Sequence, residues 1–151
     1  MIGKAFAPTL RVSALSVLAT LGLPALASAA PAGDLSGLWN TPIDHGSLIR
    51  LETCGEAICG RVVSSPHLRA NPDQRDVRNR NSALRGRPLR DLLVLKVRPL
   101  GPGRWGDGWA YNPEDGGTYS GTMLLKDDGS LRLTGCILAP FCQTETWTRA
   151  E

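Results

Sequence analysis

The sequence predicts an all-β protein, an eight-stranded antiparallel up-and-down barrel with one long loop around residues 65–91. Three observations lead there. Short runs that alternate apolar and polar residues recur from Ser36 to Arg149. Tight-turn residues such as Asn112-Pro113, Asp128-Gly129 and Gly101-Pro102-Gly103 separate them. Beyond a turn or two inside the long loop, no stretch has helical periodicity. A β-sandwich is the alternative on pattern alone, but closure removes the exposed edges that a sandwich must protect.

Residues 1–30 read as a removed signal peptide, with Lys4 and Arg11 before an apolar run and Ala27-Ser28-Ala29-Ala30 offering small-residue cleavage sites. That run is interrupted by Pro24 and is shorter than the roughly 20 residues of a comfortable span. The expectation is an exported chain, periplasmic or secreted from a Gram-negative-type envelope, with no membrane span after processing. Residues 31–151 then form a single domain.

Within it, strands are expected around 36–41, 47–53, 57–64, 91–99, 105–112, 117–126, 129–137 and 142–150. Asp44-His45-Gly46 signals the first turn and Gly55-Glu56-Ala57 the second. In the fifth run Trp105, Asp107, Trp109 and Tyr111 fall at every second position, so a regular strand would set all four on one face. Asn112 to Gly117 supplies the turn that follows, and Tyr119 opens the sixth run. The last run places Glu145, Trp147 and Arg149 on one face and threonines on the other. From Ser65 to Asp91 the alternation stops, and seven arginines face three aspartates. Loops of this length are usually functional or disordered; the plain alternative is a loop with its charges in water.

Charge adds little. Two of seventeen basic residues lie in the leader, which leaves fifteen against fourteen acids. That gives no case for nucleic-acid binding. Cys54, Cys59, Cys136 and Cys142 admit three pairings. The two local ones, Cys54–Cys59 and Cys136–Cys142, each bracket a turn between consecutive strands and are expected in an exported protein. The spacings do not suit a zinc site, and no metal or cofactor is expected.

Several pieces of the mature chain resemble the secreted bacterial family catalogued as domain of unknown function 2147. They are Gly37-Leu38-Trp39, Cys54 to Gly60, Leu84-Arg85-x-Arg87-Pro88-Leu89, Tyr111-Asn112-Pro113-Glu114-Asp115-Gly116-x-Thr118-Tyr119 and Thr146-Trp147-Thr148-Arg149. The resemblance implies a lipocalin-like barrel in the cell envelope and no established reaction. Gly37-x-Trp39 at the first strand with Arg149 at the last also looks like the lipocalin pattern, in which an arginine lies over a tryptophan at the closed end.

The chain holds no recognisable catalytic constellation, so no enzyme is expected. His45 and His67 lie in loop-like sequence without a catalytic motif. Glu114 and Asp115 read first as turn formers rather than a glycosidase pair. The acids and amides from Asn71 to Asn81 do not follow a calcium-loop spacing. Function is expected at the open end: a small apolar or amphipathic anionic ligand bound by Arg85, Arg87, Tyr111, Asn112, Asp115 and Tyr119. Here the arginines hold the anion and the tail enters the barrel. The competing account has Arg85 and Arg87 pairing with Asp76, Asp91 or Asp115 and merely tying the loop down. A protein–protein or enzyme-inhibitor module acting through the 65–91 loop is the alternative function. A hydrolase would need a cleft uniting a histidine with Glu114 or Asp115.

Overall fold

The computed structural model describes residues 33–42 and 46–151; the expected leader and the Asp44-His45 turn lie outside them. The chain forms β1 (Gly37–Asn40), β2 (Leu48–Cys54), β3 (Ala57–Ser64), β4 (Leu93–Gly101), β5 (Arg104–Asn112), β6 (Gly117–Leu125), β7 (Leu131–Leu138) and β8 (Phe141–Arg149). Each strand pairs antiparallel with the next, and β1 returns to β8 through Trp39↔Arg149 and Asn40↔Thr148. The result is the closed up-and-down barrel that the sequence predicts.

One end of the barrel is packed shut. Trp39 is fully buried, and its indole Nε1 donates to the Leu35 carbonyl at 2.9 Å. The Arg149 guanidinium lies 4.6 Å from the centre of that ring and donates to the carbonyls of Ser36 at 3.0 Å and Asp34 at 2.5 Å. A cation over a desolvated ring contributes ~0.5–2 kcal/mol. Leu51, Val97, Trp105, Leu131 and Trp147 fill the adjoining layers. The Trp39–Arg149 expectation holds.

The expected single face for Trp105, Asp107, Trp109 and Tyr111 does not. Trp105 pairs with Met123 and Gly108 with Gly121, so Gly106 and Asp107 oppose Thr122 alone. Asp107 has φ 47°, and this bulge shifts the alternation by one residue. Trp105 therefore points inward beside Met123, whereas Trp109 and Tyr111 share the outer face with Ser120 and Thr118. Gly108 permits the distortion, since a Cβ there would lie 1.9 Å from the Lys96 carbonyl oxygen.

The long segment is neither a solvated loop nor a lid. It begins with α1 (Pro66–Ala70), capped by Ser65 Oγ, which accepts from the Leu68 amide at 3.2 Å. A 3₁₀ turn follows at Ser82–Leu84. Between them the chain doubles back: the Asp76 amide donates to the Arg87 carbonyl at 3.0 Å and the Leu89 amide to the Gln74 carbonyl at 2.9 Å. Leu68 and Leu89 bury themselves in the core. The residues around Asn79 lie against the outer wall of β5 and β6, close enough that a Cβ on Gly116 would meet the Arg78 carbonyl oxygen at 1.9 Å.

Candidate functional site

The other end of the barrel is hollow. A cavity of about 460 Å³ opens there, within the ~300–1,000 Å³ range of small-molecule sites. Its wall is apolar below, with Ile49, Val62, Val94, Leu95, Leu133 and Trp147. The inward alternation of β2, β3, β7 and β8 supplies most of these side chains, and on β4 an irregularity at Val94 brings it in beside Leu95. Toward the rim it becomes polar, with Asn112, Glu114, Asp115, Tyr119, Gln143 and Glu145. Three of these are carboxylates, and no arginine, lysine or histidine stands among the described lining residues.

The rim turn between β5 and β6 is held by its own polar groups. Asp115 Oδ1 accepts from the Gly117 amide at 2.6 Å, and Asn112 Oδ1 accepts from the Glu114 amide at 2.9 Å. The Tyr119 hydroxyl donates to Asp115 Oδ2. That bond, then partial burial and the Asp115 charge, raise the Tyr119 phenol above its ordinary range, against an opposing effect of Arg80. Trp147 Nε1 donates to Glu145 Oε2 at 3.0 Å, which fixes that carboxylate on the cavity wall.

A second polar centre lies outside the wall, under the long segment. Asp76 is fully buried and accepts three bonds: Tyr111 Oη at 2.6 Å, Asn79 Nδ2 at 2.8 Å and Arg87 Nε at 2.8 Å. The Arg87 guanidinium also covers the Tyr111 ring, 4.9 Å from its centre. Burial, followed by the bond to Asp76 and its charge, pushes the Tyr111 phenol up to about 12. Arg85 Nε donates to the Asn79 carbonyl at 2.8 Å. These contacts make the segment a fitted clasp on the barrel.

The six residues expected to bind ligand therefore divide. Asn112, Asp115 and Tyr119 gather at the cavity rim. Tyr111 borders the cavity, but its hydroxyl turns away to Asp76. Arg85 and Arg87 do not line the cavity; Arg87 pairs with Asp76, as the competing account has it, whereas Arg85 donates to the Asn79 carbonyl rather than to a carboxylate. Of the residues expected to be structural, Trp39 and Trp147 are buried and the exposed Arg149 covers the Trp39 ring, and the disulfides are Cys54–Cys59 and Cys136–Cys142.

His67 Nε2 does meet Glu114, at 3.0 Å, where Arg78 Nη1 also donates to Glu114 Oε2 at 3.1 Å and to the Glu114 carbonyl at 2.8 Å. The three side chains are about half exposed. The carboxylate is shared with a guanidinium, so the trio joins the rim turn to α1 and the clasp rather than poising a base against a nucleophile.

Sequence reading passed over Gln143, Glu145, Ile137 and Phe141 as cavity residues. The alternation of β8 already set Glu145 on the face of Trp147, so an inward carboxylate was the available signal.

An eight-stranded closed barrel, shut at one end and hollow at the other, defines a class of up-and-down barrels built around one internal site. Within it, the chain belongs to the bacterial family described as uncharacterized protein conserved in bacteria (DUF2147), whose model matches residues 37–149. A similar solved structure is described as protein HP1028 from the human pathogen Helicobacter pylori, belonging to the lipocalin family. It superposes with a TM-score of 0.68 at 22% identity, covering 78% of this chain and 84% of that one. At that identity the likeness establishes a shared lipocalin-like fold. No curated protein matches the sequence.

Proposed function

We propose that the protein is a non-enzymatic binding protein of the cell envelope that holds one small, mainly apolar molecule in the barrel. The observation that carries this is the cavity of about 460 Å³, apolar in its depth and polar at its rim. Small eight-stranded barrels are either filled by side chains or hold one small ligand, and this interior is filled only at the Trp39 end. An export leader over residues 1–30 is consistent with two disulfides in the domain.

The polar end of the ligand is read differently from the anion expected on the sequence. Arg85 and Arg87 serve the clasp, and an anion at the rim would face Glu114, Asp115 and Glu145. A neutral or donor-bearing head, accepted by Asn112, Asp115 and Gln143, suits this lining better. An inhibitor role through the arginine-rich segment gains no support, because Arg78 is engaged with the rim turn, and Arg85 and Arg87 with Asn79 and Asp76 of the segment itself.

The test is native mass spectrometry of the protein purified from the envelope of an expressing bacterium. A mass excess that organic extraction removes, and that proves to be an apolar compound, is expected. Repeated preparations without any bound mass, together with failure to take up an added apolar probe, would overturn the reading.

A further inference from the structure

The β7–β8 hairpin projects at the open end with three large apolar side chains almost bare. Ile137 is 73% exposed, Leu138 71% and Phe141 72%. They occupy a tip that Cys136–Cys142 ties at its base, and Ile137 and Phe141 border the cavity mouth. Contiguous exposed apolar groups of this kind mark a surface that is covered in use. Below the disulfide the outward residues turn polar at once, with Thr134 and Thr144 joined hydroxyl to hydroxyl at 3.0 Å and Thr146 and Thr148 beyond them. The apolar zone is therefore shallow, a projecting wedge rather than a flat face.

Charge distinguishes the two ends. The connection between β1 and β2, residues 65–91 and the rim turn together hold seven arginines against six carboxylates, Asp44, Asp73, Asp76, Asp91, Glu114 and Asp115. The turns and end segments of the closed end hold Asp34, Glu56, Asp127, Asp128 and Glu151 against Arg104, Lys126 and Arg149. The end bearing the apolar tip is thus the positive end.

We propose that this end docks on an anionic lipid surface, with the Ile137–Phe141 tip in the headgroup and upper acyl region and the arginine-bearing segment over the headgroups. A shallow apolar wedge at the same end as an arginine-bearing segment matches an anionic interface in shape, and the charge balance of the end favours it over the acidic closed end. Burying one such side chain shifts a partition equilibrium by roughly tenfold or more. Docked this way, the cavity mouth faces the bilayer, and an apolar molecule passes between the two without crossing water. The docking rests on the tip and the charge of the end, and stands whether or not the cavity is occupied.

The experiment uses the protein purified in its exported form, with vesicles of phosphatidylcholine alone or mixed equally with phosphatidylglycerol. The parent should co-sediment with the mixed vesicles and at least about tenfold less with phosphatidylcholine alone. The combined Ile137→Ser, Leu138→Ser and Phe141→Ser variant should lose about tenfold or more on the mixed vesicles, with its melting temperature and disulfides retained. In a separate Phe141→Trp variant, the difference in emission from the parent should move to shorter wavelength when mixed vesicles are added. Absence of parent binding to either vesicle, or equal binding by the triple variant, overturns the proposal. So does a parent dimer that the triple variant converts to monomer, since the tip would then be a contact between copies. A protein that binds vesicles but takes up no apolar probe keeps this inference and loses the cavity reading; the reverse result loses only this one.

Discussion

The hydroxyl of Tyr111 stands 2.6 Å from the buried carboxylate of Asp76, joining the outer face of β5 to a segment 35 residues earlier. Asn79 and Arg87 complete the carboxylate's partners. Replacing Asp76 with Ala leaves the Tyr111, Asn79 and Arg87 donors without their shared acceptor. We expect a loss of roughly 3 kcal/mol in urea unfolding. A loss under about 1 kcal/mol would show that the clasp does not stabilise the barrel.

Arg87→Gln together with Arg85→Gln separates tying from binding. The geometry predicts a lowered melting temperature and an unchanged affinity for an apolar probe, because neither side chain reaches the cavity. Lost probe affinity at constant melting temperature would restore the arginines as ligand contacts.

The chain has two tyrosines, so its phenolate absorbance titrates Tyr111 and Tyr119 alone. Both phenols are raised, Tyr111 to about 12. A raised phenol favours the folded state while it stays neutral. That contribution is complete below the unfolded value near 10 and is lost as pH climbs toward about 12. Stability should fall across that interval, and Tyr111→Phe should flatten the slope. A Tyr111 midpoint at an ordinary tyrosine value would contradict its buried bond to Asp76.

Trp39→Ala should cost ~3–5 kcal/mol, since the ring is fully buried and carries the Arg149 stack. Chemical denaturation reads it directly, and a cost below about 1 kcal/mol would mean that this end is not a packed base.

Each disulfide closes a short loop, with five residues of separation for Cys54–Cys59 and six for Cys136–Cys142. Loop entropy assigns each about 2 kcal/mol. Non-reducing peptide maps should show only these two bridges, and a bridge from either pair to the other would refute the strand order.

How much of this was readable follows from the range of each interaction. Strand order, turns and cysteine pairs are local, so Asp128-Gly129 and the spacing of Cys136 and Cys142 announced them. Trp39 and Arg149 lie at opposite ends of the chain and were paired only through a resemblance to a known pattern. The bulge at Asp107 was not legible, because alternation looks unbroken through Trp105, Trp109 and Tyr111 even though the register shifts beneath it. Nor was the destination of Arg85 and Arg87. A guanidinium that grips a ligand and one that grips Asp76 look the same in sequence, and only the fold of residues 74–89 distinguishes them.

The central claim is that the hollow end holds an apolar molecule, and a matched pair of substitutions tests it most directly. Leu133 lines the cavity from β7, whereas Leu124, on the neighbouring β6, faces outward and is 38% exposed. Titration with a neutral apolar fluorophore such as N-phenyl-1-naphthylamine should show saturable binding to the parent. Leu133→Trp, which places an indole in the cavity, should weaken it by at least about tenfold, while Leu124→Trp should leave it unchanged. No saturable binding to the parent, or equal affinity in both variants, would contradict the account.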